Sequence, residues 1–190
     1  MFPDPLNAEP MTPVEPEGTS RDGGAEGRLK TLILMRHAKS DWSVPVDDRR
    51  RPLNERGRRQ AAEAGRWLRT FLDARGEPLE LAVVSPAVRA AYAWDLAAAE
   101  LDEAPPVRRE ELAYTFDGDD LHEVVRGLPG DVDTVVLVGH NPACEELLDR
   151  LLEDGAGEIT PQMKTSALAV IELADWTSRG RLVAHGRPPN

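Results

Sequence analysis

Thr134-Val-Val-Leu-Val138, running straight into Gly139-His-Asn-Pro142, sets the architecture of this chain. Five aliphatic or β-branched residues in a row are too few for a buried helix and suit a strand covered on both faces. After it Asn141 reads as an N-cap and Pro142 as a first-turn residue, while Leu147, Leu148, Leu151 and Leu152 supply the apolar face of a helix. A uniformly apolar strand that turns into a helix within a few residues is the repeating unit of a parallel sheet packed between helices.

The same grammar recurs on either side. Leu29-Lys-Thr-Leu-Ile-Leu-Met35 is a second short apolar run, ended by Arg36 and His37. Pro45 and Pro52 fall in a polar loop, after which Asn54 caps a helix expected to reach about residue 72. Gly57, Ala61 and Gly65 form a small-residue stripe along it, predicting close approach to the sheet. Leu81-Ala-Val-Val84 is a third strand, with Ser85 as the expected cap, Pro86 at the first helical position and a helix to about residue 99. Residues 107 to 109 read as a short extended piece and 119 to 126 as a helix. Strands are expected at about 167 to 173 and 182 to 185, the last as an antiparallel edge. The fold class that follows is α/β, a three-layer α/β/α arrangement with a mostly parallel central sheet.

Length and charge bound the rest. With 190 residues the chain is one domain, long enough to bury a core without staples. Residues 1 to 28 hold five Pro, four Gly, six acidic and two basic residues without apolar period, so they read as a flexible acidic tail ahead of a folded domain at 29 to 190. The net charge of −11 argues against a general nucleic-acid binder and against an anionic membrane surface as partner. The charge is uneven, however, because Arg36 to Arg69 contains ten basic and five acidic residues. Cys144, the single cysteine, excludes an intrachain disulfide and a multi-cysteine zinc site, which suits a reducing compartment. The start, MFPDPLNAEP, has neither basic residues nor an apolar run, and no window of about 18 uncharged apolar residues occurs, so a cytoplasmic protein is expected.

Open α/β sheets bind ligands beyond the carboxyl ends of their strands. Arg36 and His37 follow the first strand, Arg89 lies just after the Leu81 strand, and His140 follows the Thr134 strand. Arginine offers planar donors matched to phosphate oxygens, and histidine near neutral pH can be a nucleophile, a donor or a proton carrier. Two His and two Arg at strand ends fit a dianion better than a metal. The helix starts expected at Ser85 and Asn141 would add backbone N–H groups to the same place.

Leu32-Ile-Leu-Met-Arg-His-Ala-Lys-Ser-Asp-Trp42 resembles the Arg-His signature strand of the histidine phosphatase superfamily, also called phosphoglycerate mutase-like. Arg51-Pro-Leu-Asn-Glu-Arg-Gly57, Ser85-Pro-Ala-Val-Arg-Ala90 and Val138-Gly-His-Asn-Pro142 resemble its later blocks in order. Lys164-Thr-Ser-Ala-Leu168 resembles a terminal block of the compact phosphohistidine phosphatase branch. The resemblance implies a covalent mechanism in which His37 attacks phosphorus while Arg36, Arg89 and His140 clamp the phosphoryl oxygens and water then frees His37. It places Asn141 and Lys39 beside the phosphate and makes Glu111 the residue that would protonate the leaving group. It implies no metal and no cofactor. Ala38 stands where the family pattern has Gly, which touches the substrate side rather than the clamp.

The implied substrate is a phosphorylated protein, with a phosphohistidine carrier domain as the expected partner. Only about 35 residues separate Arg89 from the end of the 119 to 126 helix, too few for a large lid, and an open site would accept a protein loop. Two alternatives stay open: a small-molecule phosphomonoesterase and a phosphate-binding regulatory module without turnover. The residues do not specify an oligomeric state. Asp47, Asp48 and Arg51 read as loop structure and ion pairing, and Trp42 as either the pocket mouth or packing. Cys144 and Arg150 have the Cys-x5-Arg spacing of cysteine-based phosphatases, but an acidic helical stretch between them cannot wrap a phosphate. Gly155-Ala-Gly157 is too sparse for a phosphate loop.

Overall fold

A strand that is apolar at every position needs cover on both sides, because successive side chains point to opposite faces. The computed structural model, which describes residues 28–152 and 161–186, meets this requirement with helices above and below one sheet. Its elements run β1 (Lys30–Arg36), α1 (Glu55–Arg75), β2 (Leu81–Val84), α2 (Val88–Ala98), β3 (Val107–Arg109), α3 (Gly118–Arg126), β4 (Thr134–Gly139), α4 (Ala143–Leu151), β5 (Leu168–Leu173) and β6 (Gly180–Gly186). Short 3-10 turns sit at Asp48–Arg50 and Glu111–Ala113. The segment read as a tail, Arg28 excepted, and Gly155-Ala-Gly157 lie outside the described residues.

The six strands lie in the order β3-β2-β4-β1-β5-β6. Neighbours among the first four pair in parallel, β5 runs antiparallel to β1, and β6 antiparallel to β5. The edge strand expected to pair antiparallel does so, and the reversal of direction already falls at β5. Alternation divides the core cleanly. Leu32 and Leu34 of β1 and Val135 and Leu137 of β4 join Leu121, Val125, Leu147 and Leu148 of α3 and α4. Ile33, Met35, Val136 and Val138 join Ala61, Leu68, Ala93 and Trp94 of α1 and α2 on the other face. Burying each large aliphatic side chain fully favours folding by roughly 1.5–3 kcal/mol before entropy is counted, so the two faces of β1 and β4 are the main anchors. Among the described residues no helix is long and apolar enough to cross a membrane.

Three local expectations are corrected. Of the stripe on α1 only Ala61 joins the sheet-facing core, while the two glycines meet other neighbours: a Cβ on Gly57 would lie 2.0 Å from the Lys39 carbonyl oxygen, and one on Gly65 would lie 2.2 Å from that of Ala97. The small residues let α1 close onto the loop after β1 and onto α2. Helix α2 begins at Val88 rather than Pro86, with Ala87 in the capping position; the Ser85 hydroxyl lies 2.8 Å from His140 Nε2 and accepts from Ala87 N at 3.4 Å. Asn141 likewise does not cap α4, which starts at Ala143; its side-chain amide donates to the Met163 carbonyl at 3.0 Å instead. The Asn54 cap holds, accepting from Gly57 N at 2.8 Å, and α1 continues past residue 72 to Arg75, where Gly76 closes it at φ 62°.

Candidate active site

Backbone register brings the two histidines together. In the parallel pairing of β1 with β4, Arg36 stands opposite Gly139, so His37 and His140 leave adjacent strands at the same level. The His37 N–H donates to the Gly139 carbonyl, and the imidazole centroids lie 4.8 Å apart. On the other side of β4, Val84 of β2 stands opposite Val138, which places Ser85 beside His140 and sends α2 over the pair with Arg89 in its first turn. Four residues from three distant parts of the chain therefore meet because β4 lies between β1 and β2.

The hydrogen bonds assign the tautomers. His37 Nδ1 faces the Ala38 carbonyl at 2.7 Å, an acceptor only, so Nδ1 carries the proton. His37 Nε2 receives Arg89 Nε at 3.3 Å, so its lone pair is on Nε2 and faces the clamp. His140 Nδ1 lies 3.3 Å from Arg89 Nη2, which can only donate, so its proton is on Nε2 and is given to Ser85 Oγ at 2.8 Å. Both rings are neutral at pH 7. Burial pushes His37 down to about 4, the Ala38 carbonyl opposes the fall, and Arg89 and Arg36 add to it. Burial, then His37 and Arg89, lowers His140 to about 3.

Arg89 is 4% exposed and holds the centre. Besides the two imidazoles it donates through Nη1 to the Asp48 carbonyl at 2.5 Å and through Nη2 to Asp48 Oδ2 at 2.8 Å. Asp48 also accepts from the Tyr114 hydroxyl at 3.0 Å and from Arg51 at 3.3 Å. Burial raises the Asp48 carboxyl, but hydrogen bonds from Tyr114 and Arg89 outweigh it and hold the group below the usual carboxylate range. The ion pairing expected for Asp48 is thus present, and its partner is the clamp itself. Sequence reasoning placed Asp48 outside the site because its role depends on a loop folding back over α2. The available signal was its position three residues ahead of the Arg51-Pro-Leu-Asn block.

Arg36 donates through Nη1 to the Met163 carbonyl at 2.8 Å, while its buried Nε has no hydrogen-bond partner, a donor left over for an anion. The 163–167 segment is part of the same wall: Ser166, at φ 60° and fully buried, donates its N–H to the His37 carbonyl at 3.2 Å. Asn141 lies against that wall with Oδ1 buried and unpartnered. Lys39 has an exposed side chain, and its carbonyl accepts from Asn54 N at the start of α1. Glu111 is exposed, and its carboxylate pairs with Arg49 Nη2 at 2.7 Å. Trp42 is 70% exposed, with the Arg51 guanidinium 3.6 Å from its ring centroid, so it is not packing material. Cys144 is buried, and burial pushes its thiol up to about 12, which leaves it protonated and inert. Among the described residues no three His, Cys, Asp or Glu side chains gather into a set able to hold a metal ion.

A neutral imidazole lone pair, two guanidinium groups and a second imidazole around one point fit phosphoryl transfer. The pattern of the histidine phosphatase superfamily (branch 1) matches residues 32–116. The chain belongs to that superfamily and is a phosphatase. An uncharacterized protein of Mycobacterium leprae, ML1117, is 32% identical over 149 residues, spanning 74% of this chain and 88% of that one. In three dimensions the chain is similar to a protein of Nakamurella multipartita provisionally named phosphohistidine phosphatase SixA, at 26% identity and a TM-score of 0.70 over 85% of this chain and 98% of that one. The provisionally named phosphohistidine phosphatase SixA of Agrobacterium tumefaciens matches at 26% identity and 0.69, over 84% and 99% of the two chains.

Proposed function

We propose that this phosphatase acts through His37 as a covalent nucleophile and removes the phosphoryl group from phosphohistidine in a protein. The observation that carries the reading is the His37 hydrogen-bond pair: Nδ1–H held by the Ala38 carbonyl and the Nε2 lone pair turned to Arg89. The ring is locked in the tautomer a nucleophile needs, and its depressed pKa keeps that lone pair free of a proton across the physiological range. The Nε2 lone pair forms the new N–P bond as the substrate's P–N bond breaks and the departing imidazole takes up a proton. Water then bonds to phosphorus, the His37 N–P electrons return to Nε2, and phosphate leaves.

Arg36 and Arg89 meet the charge on the phosphoryl oxygens, and His140, supported by Ser85, completes the clamp. Arg89 must trade contacts with Asp48 for contacts with phosphate, so Asp48 holds the guanidinium in place until the anion arrives. Glu111 is assigned to proton delivery from the rim, a modest task when the leaving group is an imidazole. Lys39 and Asn141 complete the phosphate side. The phosphohistidine substrate is supported by the likeness to the SixA-named proteins, by the terminal Lys164 to Leu168 block and by the absence of room for a large lid. A phosphohistidine carrier domain is the partner this implies, in the cytoplasm.

Incubation with a ³²P-labelled phosphohistidine protein is expected to leave an acid-labile, base-stable adduct on the wild-type chain and none on His37→Ala. A substrate panel comparing that protein with alkyl, aryl and sugar phosphates is expected to favour the protein. Faster turnover of a small ester would give the phosphomonoesterase reading. Neither adduct nor turnover across the panel would leave a phosphate-binding module.

A further inference from the structure

The segment between β3 and α3 brings two aromatic rings to His140. The Tyr114 ring meets the His140 imidazole edge-on at 5.5 Å between centroids, Phe116 approaches it at 6.1 Å, and the two aromatic rings are 6.5 Å apart. Tyr114 is fixed by its hydroxyl bond to Asp48 and by the guanidinium groups of Arg49 and Arg89, 5.5 and 5.9 Å from its ring centroid. Phe116 is different. It is 54% exposed although its neighbour His140 is 1% exposed, so it stands between the clamp and solvent.

Its backbone is nevertheless held on both sides. Thr115 Oγ1 donates to Asp120 at 2.6 Å and accepts from Asp117 N at 3.0 Å, and Asp117 caps α3. An exposed apolar ring on a fixed backbone, in ring contact with a clamp residue, has most of its ordering cost already met before anything binds. The phosphoryl group enters between His37 and the guanidinium groups, and the group it leaves behind must depart toward solvent, away from His37.

We propose that Phe116, backed by Tyr114, is a specificity residue that receives the flat ring of the leaving group, so that the site prefers phosphoryl groups attached to planar aromatic rings. The inference rests on the phosphatase reading above and adds the part of the substrate beyond phosphorus. Offset or edge-to-face contact suits an imidazole or a phenyl ring and gives nothing to ammonia or a carboxylate. The chemistry shared by phosphohistidine and aryl phosphates is the ring itself.

The test compares pairs matched in the bond broken. Phosphoimidazole and phosphoramidate both lose a P–N bond, but only the first has a ring; phenyl phosphate and acetyl phosphate form the P–O pair. In Phe116→Ala the ratio of kcat/KM between ringed and ringless substrates is expected to fall about 3- to 10-fold in each pair, through KM. Phe116→Tyr should restore it, and Leu29→Ala, an exposed apolar residue ahead of β1, should leave it at the wild-type value. An unchanged ratio, or a loss equal for both members of a pair, overturns the assignment. So does a loss confined to a phosphohistidine protein and absent with phosphoimidazole, which would make Phe116 a protein-docking contact. Wild-type chain inactive on all four compounds and on the protein would instead sink the phosphatase reading beneath it.

Discussion

The two ends of the sheet make an instructive contrast. Ahead of β2 and β3, at the strands' beginnings, a cleft of about 400 Å³ is lined by Leu72, Leu79, Leu101 and Pro106 with Glu77 and Glu80 among them. Beyond the ends of β1, β4 and β2 lies the clamp. Three of the cleft's polar groups serve the fold: Glu77 pairs with Arg75 at 3.0 Å, Glu80 accepts from the backbone of Asp133 and Thr134, and Arg69 donates to the Glu100 carbonyl at 3.1 Å. In the clamp, two imidazole lone pairs face a guanidinium and the Arg36 Nε has no partner. A cleft lined by apolar side chains and carboxylates repels an anion, while donors and lone pairs that do not fully satisfy one another are poised for one.

The largest effect that could break this contrast is nucleophile loss. His37→Ala is expected to lower kcat by about 10³-fold or more, whereas Leu101→Ala in the cleft should stay within about twofold. Steady-state rates on one phosphohistidine protein decide it, and comparable losses at both ends would abolish the distinction. Next comes Arg89→Lys, which keeps the charge but loses the fork that reaches His37, His140 and Asp48 together. A fall of about 10²- to 10³-fold in kcat/KM is expected, with weaker inhibition by vanadate as the second readout.

A smaller effect concerns protons. The two imidazoles are neutral in the folded chain, with values of about 4 and 3, and take a proton near 6.5 when unfolded. The unfolded state binds more protons between these limits. The stability held above pH 6.5 is therefore lost as pH falls toward the folded values. Melting temperature should drop between pH 7.5 and 5.5, less steeply in His140→Asn, and the His37 ring resonance should titrate near 4 in NMR. A midpoint near 6.5 would mean a solvated ring and an open clamp. The smallest expected change belongs to Glu111→Gln, within about threefold on phosphohistidine and larger on an alkyl phosphate, whose leaving group needs a proton more. Equal loss on both substrates would remove Glu111 from proton delivery.

The strands and the histidines were legible because their signals are local. The run Thr134 to Val138 is apolar at every position, and β2 and β3 fall where composition and flanking prolines place them. Ser85 and Asn141 misled for a physical reason: both are excellent caps in isolation, but each side chain finds a stronger partner across the fold, His140 for one and the Met163 carbonyl for the other. Phe116 carried no signal at all, since an aromatic residue in a loop says nothing about the ring beside it.

Local pattern along this chain was enough to determine a layered α/β domain with Arg36, His37, Arg89 and His140 at the ends of strands, because strand and helix periods and short motifs are written within a few residues. Which strands are neighbours was settled only by folding, and with it the His37 to His140 contact, the grip of Asp48 on Arg89 and the aromatic wall beside them. These contacts join residues about 25 to 100 positions apart, and their geometry comes from packing both faces of one sheet at once.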